Sequence, residues 1–178
     1  AAVGTAIVRV GELTAAITGA NRKSLDDAGI DYQTLHLHPN QHAGYFPGAV
    51  PVHLVVHMAA SDGRLLGAQA VGSDGVDKRI DVLATAIRAG LRVPDLIDLD
   101  LAYSPPYGQA KDAINLVGMV GANLLDGTLR LWYAQDRDEV AETALILDVR
   151  SPAEFSTGHL PGALNIAHTQ LRERLDEV

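Results

Sequence analysis

Several short stretches of the chain are rich in β-branched and apolar residues or alternate apolar with polar residues, and both patterns predict β-strands. The stretches cover residues 5–10, 13–18, 34–38 and the two arms of 52–72. Turn residues at 11–12 and at 61–63 predict that the first two and the last two strands form hairpins, and Pro39 ends the strand between them. One face of the first arm of 52–72 is wholly apolar: Val52, Leu54, Val56 and Met58.

Three other stretches have helical spacing. The first covers residues 21–28. The second begins at residue 74 or 75, ends where Gly90 can form a left-handed cap, and is predicted to pack on the sheet. Its apolar stripe consists of Val76, Ile80, Leu83, Ile87 and Leu91. The third helix, about residues 111–125, has a face of small and apolar residues, which internal packing and a subunit contact explain equally well.

The character of the chain changes after Gly127. A charged stretch follows, and then a short apolar strand, a helical turn, a second strand and a final helix over 171–178. We predict a dimerisation or interface domain over residues 1–133, a linker over 134–143 and a separate segment over 144–178. This last segment has too few elements to bury a core alone.

Composition narrows the choice of partners. The protein has 178 residues, is 47% hydrophobic and carries a formal net charge of −8. This acidic balance argues against nucleic acid or an anionic membrane as a partner, because both require a basic surface. No apolar run approaches the roughly 18 to 20 residues that span a bilayer. We therefore expect a cytoplasmic protein without a nucleic-acid or membrane partner.

The sequence has no cysteine, which excludes disulfides, cysteine-ligated metals and a cysteine nucleophile on this chain. The first ten residues lack the pattern of a signal peptide. The chain has no initial methionine and enters directly on a predicted strand, so we expect that its first residue is not a natural beginning.

Histidines are one candidate for chemistry. His36 and His38 lie on one face of a predicted strand, and His42 follows soon after, which permits a metal site. No carboxylate or further histidine is fixed nearby by its spacing. A polar strand face is therefore the favoured interpretation, with metal binding as the alternative.

Two tyrosine loops are a second candidate. Tyr45 lies in AGYFPG and Tyr103 precedes Pro105 and Pro106, so proline stiffens both loops. Both rings could simply fill gaps beneath the loops. Alternatively, phenols with a pKa of about 10 are held rigidly as uncharged donors to a thiolate or an oxyanion.

A third candidate lies in DVRSPAEFSTGHLPGALNI. Asp148, Arg150, Glu154 and His159 could form an acid–base cluster. Helix capping and ion pairing are the more ordinary roles for these residues, and we favour them.

At this point the motifs match a known family. LHLHPNQHAGYFPGAVP, GAQAVGSDGVDKRIDVLATAIRAG and LAYSPPYGQAKDAIN resemble the C-terminal dimerisation domain of FAD-dependent pyridine nucleotide-disulfide oxidoreductases, closest to the coenzyme A-disulfide reductase branch. LILDVRSPAEFSTGHLPGALNIA resembles the start of a rhodanese domain. The resemblance implies an α+β fold, with an antiparallel sheet and helices packed on it, plus an incomplete α/β rhodanese-like segment.

The resemblance also implies what the rest of the enzyme supplies. FAD, NAD(P)H and the redox cysteine belong to preceding domains, so we expect this fragment to bind neither cofactor and to be inactive alone. The family implies a homodimer in which Tyr45 and Tyr103 face the partner's redox cysteine. Phe46 stands where the family often has another tyrosine. The His–Glu pair of glutathione reductase-type enzymes is absent from HPNQH, which favours tyrosine over imidazole for proton management.

The resulting hypothesis is the dimerisation half of a flavin-dependent NAD(P)H disulfide reductase that acts on a coenzyme A disulfide or a polysulfide. An NADH oxidase-like member of the same family is one alternative. A non-catalytic self-association module, in which the tyrosines only pack, is another. A sulfurtransferase is disfavoured because this chain has no cysteine.

Overall fold

The computed structural model describes residues 3–178, so the first two residues of the predicted first domain lie outside the described part. Within it the chain divides into two compact units, one ending at Arg130 and the other spanning Leu131–Val178. The first unit contains an antiparallel sheet of five described strands in the order β1-β2-β5-β4-β3. Its strands are β1 (Ala6–Val10), β2 (Leu13–Gly19), β3 (Tyr32–Leu37), β4 (Val52–Ala59) and β5 (Leu65–Gly72). Both predicted hairpins are confirmed.

Burial on β4 follows the predicted alternation over residues 52–56, whereas both faces are buried over residues 57–59. The four apolar residues of its inner face, Val52, Leu54, Val56 and Met58, are fully buried. The turn to β5 contains Gly63 in a left-handed conformation with φ of 71°, which a glycine adopts without strain. An added Cβ there would also lie 2.4 Å from a methyl of Leu125. The turn is therefore shaped both by its own geometry and by the third helix.

Three helices accompany the sheet: α1 (Arg22–Asp27), α2 (Val76–Ala89) and α3 (Ala113–Leu125). Helix α2 packs on β2 and β5, as predicted, and Gly90 forms its left-handed cap. Helix α3 packs on β3. It begins two residues later than expected because Asp112 is its N-cap, accepting from the backbone N–H of Ile114.

The small-residue face of α3 packs internally, against a 3-10 helix (Val93–Leu96) that the sequence pattern does not predict. A Cβ added to Gly118 would lie 2.8 Å from the backbone nitrogen of Ile97, and one added to Gly121 would lie 2.1 Å from a methyl of Val93. These glycines allow the two segments to approach closely, which settles their role in favour of internal packing.

The second unit is built from short elements. It contains a 3-10 helix (Ala134–Asp136), α4 (Arg137–Thr143), β6 (Leu147–Asp148), α5 (Pro152–Thr157), β7 (Leu164–Asn165) and a further 3-10 helix (Leu171–Glu177). Strands β6 and β7 pair in parallel. The predicted linker thus holds a short helix. The predicted final helix is wrong in type, since it is 3-10 and is interrupted at Arg174, whose φ is −123°.

None of the helices within residues 3–178 combines the length and apolar character that crossing a membrane requires.

Candidate functional site: a pair of tyrosines

Tyr45 and Tyr103 lie side by side although 58 residues separate them in the chain. Their hydroxyl oxygens are 3.4 Å apart, within hydrogen-bonding distance. Tyr45 is 77% exposed and Tyr103 is 49% exposed. Exposure on this scale does not fit rings that fill gaps beneath loops. The two predicted candidates therefore form one surface feature.

The first tyrosine loop, residues 38–51, connects β3 to β4 and is closed by a buried glutamine. The side chain of Gln41 donates to the carbonyl of Gly48 (3.1 Å) and accepts from the backbone N–H of Val50 (2.7 Å). The backbone N–H of Phe46 donates to the carbonyl of Ala43 (2.9 Å), which forms the turn that carries Tyr45. These bonds satisfy part of the loop's backbone groups from within the loop.

His42 supports this turn from beneath. It is buried, and its ring contacts Phe46 edge-to-face with centroids 5.7 Å apart. Its Nδ1 lies 3.0 Å from the carbonyl of Ala43. A carbonyl oxygen only accepts, so Nδ1 carries the proton. His42 therefore serves as a structural residue of the loop.

The second tyrosine loop is joined directly to the first. The backbone N–H groups of Tyr107 and Gly108 donate to the carbonyl of Ser104, which tightens the turn after Tyr103. The backbone N–H of Ala43 then donates to the carbonyl of Gly108 (2.8 Å). A second link runs from Gln109 Nε2 to the carbonyl of Asn40 (3.0 Å). These two bonds fix the spacing of the loops.

The contact between the two phenols favours the protonated form of Tyr45. The hydrogen bond to Tyr103 raises the pKa of Tyr45 above its ordinary value, and slight desolvation and the charge of Tyr103 act in the same direction. When one phenol donates to the other, the accepting phenol retains its own O–H for a third atom. The arrangement can thus present an uncharged hydrogen-bond donor to an incoming anion.

Buried polar residues near these loops were missed by the sequence reasoning. Arg79 is 1% exposed, and its Nη2 donates to Asp112 Oδ2 at 2.8 Å. Asn115 is also buried and donates to three backbone carbonyls. A signal for Arg79 exists in the sequence, because it falls within the apolar stripe of α2, between Val76 and Leu83.

The candidate histidines do not gather further ligands around them in the part of the chain that the structure describes. Among residues 3–178, no group of three or more His, Cys, Asp or Glu side chains can hold a metal ion. His38 Nδ1 lies 2.7 Å from His53 Nδ1 on the neighbouring strand, where both rings are exposed. Burial lowers the pKa of His36, and the charges of His38 and Arg22 lower it further. These groups form the polar strand face that the spacing favours.

The third candidate cluster consists of caps and ion pairs. Arg150 Nη2 donates to Asp148 Oδ2 at 2.6 Å, and this guanidinium lowers the pKa of Asp148. Glu154 and Ser151 form a capping box at the start of α5. The ring of His159 stacks on Phe155 with centroids 3.7 Å apart. The structural interpretation favoured from the sequence is confirmed.

Comparison with known proteins covers both units. The family model described as "Pyridine nucleotide-disulphide oxidoreductase, dimerisation domain" matches residues 5–113. The model described as "Rhodanese-like domain" matches residues 130–178. A coenzyme A disulfide reductase of Staphylococcus haemolyticus is 41% identical over 122 residues, which are 68% of this chain and 27% of that protein. The chain thus spans about a quarter of the length of this curated relative.

Solved structures extend the likeness to nearly the whole chain. Reduced Bacillus anthracis CoADR-RHD matches with a TM-score of 0.94 and 44% identity, covering 99% of this chain and 32% of that one. A NAD-dependent persulfide reductase from A. fulgidus matches with a TM-score of 0.88 and 39% identity over the same shares. The water-forming NADH oxidase from Lactobacillus brevis matches at 0.68, with 15% identity over 72% of this chain and 29% of that one. This last match reflects the fold alone.

Proposed function

Since the chain belongs to the pyridine nucleotide-disulphide oxidoreductases through their dimerisation domain, we propose that it is the dimerisation part of a flavin-dependent NAD(P)H disulfide reductase. The substrate is a coenzyme A disulfide, a persulfide or a polysulfide. In this proposal the protein is a homodimer, and Tyr45 and Tyr103 of one subunit donate to sulfur at the active site of the partner subunit.

The observation that carries the proposal is the exposed tyrosine pair. Two phenols from separate loops meet at 3.4 Å, and both remain largely open to solvent. Ordering two aromatic side chains at a surface costs conformational entropy without the compensation of burial. A pair held in this way gains its stabilisation when a ligand or a second chain covers it. The match to a dimerisation domain supports a second subunit in that role.

The cofactors do not fit the residues of this chain. The sequence contains no cysteine and no GxGxxG motif after a strand. Every strand pair described in the first unit is antiparallel, whereas a dinucleotide pyrophosphate is usually held by a parallel βαβ unit. FAD and NAD(P)H therefore belong to other parts of the intact enzyme, and the fragment alone is proposed to be inactive.

The proposed contribution of the tyrosines is to the leaving sulfur. When a thiolate attacks a disulfide, one S–S bond forms, the other breaks, and negative charge collects on the departing sulfur. A phenol O–H held nearby stabilises that charge by donating a hydrogen bond, and it remains uncharged at neutral pH. Removal of such a donor slows the step by about tenfold to a hundredfold.

The test uses the intact enzyme with Tyr45→Phe, Tyr103→Phe and both changes combined. We expect kcat for the disulfide or persulfide substrate to fall by about tenfold or more in the single variants, while flavin absorbance shows that FAD remains bound. Tyr107→Phe is the matched control, because Tyr107 lies in the same loop and is 74% exposed. Unchanged turnover in the double variant, in a stable dimer, would instead leave a non-catalytic self-association module.

A further inference from the structure

Phenol oxygens on two exposed loops keep their spacing only if the loops themselves are fixed. Burial holds neither ring fully in place, since Tyr45 is 77% exposed and Tyr103 is 49% exposed. The hydrogen bonds between the loops fix the two backbones at residues 40–43 and 108–109. Both loops must also be held against the helices of the first unit.

A single buried side chain from helix α2 reaches both loop ends. Arg79 Nη2 donates to the carbonyl of Gln41 at 2.6 Å, at the start of the first tyrosine loop. The same guanidinium donates to both carboxylate oxygens of Asp112, from Nε at 3.3 Å and from Nη2 at 2.8 Å. Asp112 ends the second tyrosine loop and caps α3. Arg79 thus connects α2, both loops and α3.

The neighbouring backbone leaves room for this arrangement. Arg79 Nη1 donates to the carbonyl of Gly75 at 3.2 Å. A Cβ added to Gly75 would lie 2.5 Å from Arg79 Nη1 and 2.9 Å from Gln41 Cβ. Gly75 also has a φ of 71°, which favours glycine. Gly75, the residue directly before α2, therefore has two reasons to lack a side chain.

A second cation reinforces the contact from the same helix. Lys78 Nζ donates to the carbonyl of Ala102 at 3.2 Å, directly before Tyr103. It also lies 3.5 Å from Asp112 Oδ2. The Lys78 side chain is 31% exposed, whereas that of Arg79 is 1% exposed. Solvent screens the lysine contact more strongly, so Arg79 is the main link.

From this geometry we propose that Arg79 is a positioning residue, which holds Tyr45 and Tyr103 at hydrogen-bonding distance through its contacts with Gln41 and Asp112. The inference rests on the function proposed above. A planar guanidinium is suited to this role because it offers five N–H donors in a fixed fork, whereas an ammonium group is a compact point charge. Lysine at position 79 would keep the charge but could not reproduce all the contacts.

The test compares Arg79→Lys and Asp112→Asn in the intact enzyme. Arg88→Lys is the matched control, since Arg88 lies on an exposed part of the same helix. The protein is labelled with 3-fluorotyrosine, and the ¹⁹F resonance of Tyr45 is assigned by its loss in Tyr45→Phe. Thermal unfolding establishes that each variant is folded before it is compared, and Asp112→Asn is the substitute if Arg79→Lys does not fold.

We expect the pKa of the labelled Tyr45, read from its ¹⁹F resonance, to fall toward the value of an unperturbed 3-fluorotyrosine in Arg79→Lys, because the hydrogen bond between Tyr45 and Tyr103 is weakened. We also expect kcat to fall by about tenfold with KM changed less than twofold or so, as for a misplaced catalytic group. Arg88→Lys should behave as the wild type. A purely structural arginine would lower the melting temperature and leave both the titration and kcat of the folded enzyme unchanged, which would overturn the inference.

The same data separate this inference from the proposed function. If Tyr45→Phe slows turnover but Arg79→Lys changes neither kcat nor the Tyr45 titration, the positioning role is refuted and the catalytic role stands. If Arg79→Lys shifts the Tyr45 titration but Tyr45→Phe leaves turnover unchanged, the positioning role stands and the catalytic proposal fails.

Discussion

Substitution of Asn115 by aspartate tests the polar contacts at the start of α3. Asn115 Nδ2 donates to the backbone carbonyls of Leu96 (3.0 Å), Ile97 (3.2 Å) and Leu99 (3.1 Å). Its Oδ1 accepts from the backbone N–H of Asp112 at 3.1 Å. Aspartate has the same shape and keeps the acceptor, but it has no N–H to donate. The change therefore removes one half of the role of this side chain.

Two effects of opposite sign decide the outcome. A carboxylate in the first turn of a helix is stabilising by about 0.3–1 kcal/mol. Each buried carbonyl contact that loses its donor costs about 1–3 kcal/mol, and the Asn115 amide has two N–H groups to lose. The carboxylate would also face three carbonyl oxygens. We expect a net loss of about 2–5 kcal/mol in the free energy of unfolding, so the lost donors outweigh the helix dipole.

The loss should depend on pH in a defined direction. Burial against carbonyl oxygens disfavours the charged form, so the folded variant should have an aspartate pKa above the ordinary value of about 4. An acid whose pKa is raised in the folded state destabilises the fold fully above that pKa, where it is charged, and less below it, where it is protonated. Asn115→Asp should thus recover part of its stability as pH is lowered from about 8 to about 5.

Urea unfolding followed by far-UV circular dichroism measures both effects in this chain. Asn123→Asp is the matched control, since Asn123 is exposed on the same helix. This variant should lower the free energy of unfolding by less than about 1 kcal/mol. If Asn115→Asp costs no more than the control and shows no recovery at low pH, the amide does not hold these carbonyls.

Two further predictions concern the core. Leu54→Ala should lower the free energy of unfolding in urea by about 2–5 kcal/mol, because Leu54 is fully buried. Val8→Ala should lower it by under about 1 kcal/mol, because Val8 is 57% exposed. Equal losses in the two variants would contradict the assigned core. Burial and the charges of Arg22 and His36 lower the pKa of His57, so its stabilising contribution is present above about pH 6.5 and is lost as pH falls toward the folded value. His57→Gln should flatten the fall in stability between about pH 7 and pH 5, and an unchanged slope would refute a role for His57.

The elements that the sequence predicts well are those with a clear period. Strand β4 and helix α2 present apolar residues at spacings of two and of three or four, and the predicted faces are buried at Val52, Leu54, Val56 and Met58 of β4 and at Val76, Ile80 and Leu83 of α2. The 3-10 helix Val93–Leu96 cannot be predicted from periodicity, because four residues are too few for a period to be visible. The final segment forms a 3-10 helix with non-helical backbone angles at Arg174, which its composition does not predict.

The candidate site, too, can be predicted from the sequence only in part. The stiff loops around Tyr45 and Tyr103 can be identified from proline and glycine, which act on the local backbone. Their meeting cannot be read from the spacing, because it depends on backbone contacts between residues 40–43 and 108–109. The contacts of Arg79 cannot be predicted from the sequence for another reason. A sequence pattern treats a charged residue in an apolar stripe as an exception, whereas here its partners arrive from two distant loops.

A tyrosine donor makes the proposed site less sensitive to neutral pH than a histidine donor would. An imidazole donor with a pKa of about 6.5 loses its extra proton within the neutral range, whereas a phenol with a pKa of about 10 does not. The hydrogen bond between Tyr45 and Tyr103 raises the pKa of Tyr45 further. The proposed donor therefore stays both protonated and uncharged across neutral pH. It can stabilise a departing thiolate without first taking up a proton, so any change in turnover with pH in this range must come from other groups in the enzyme.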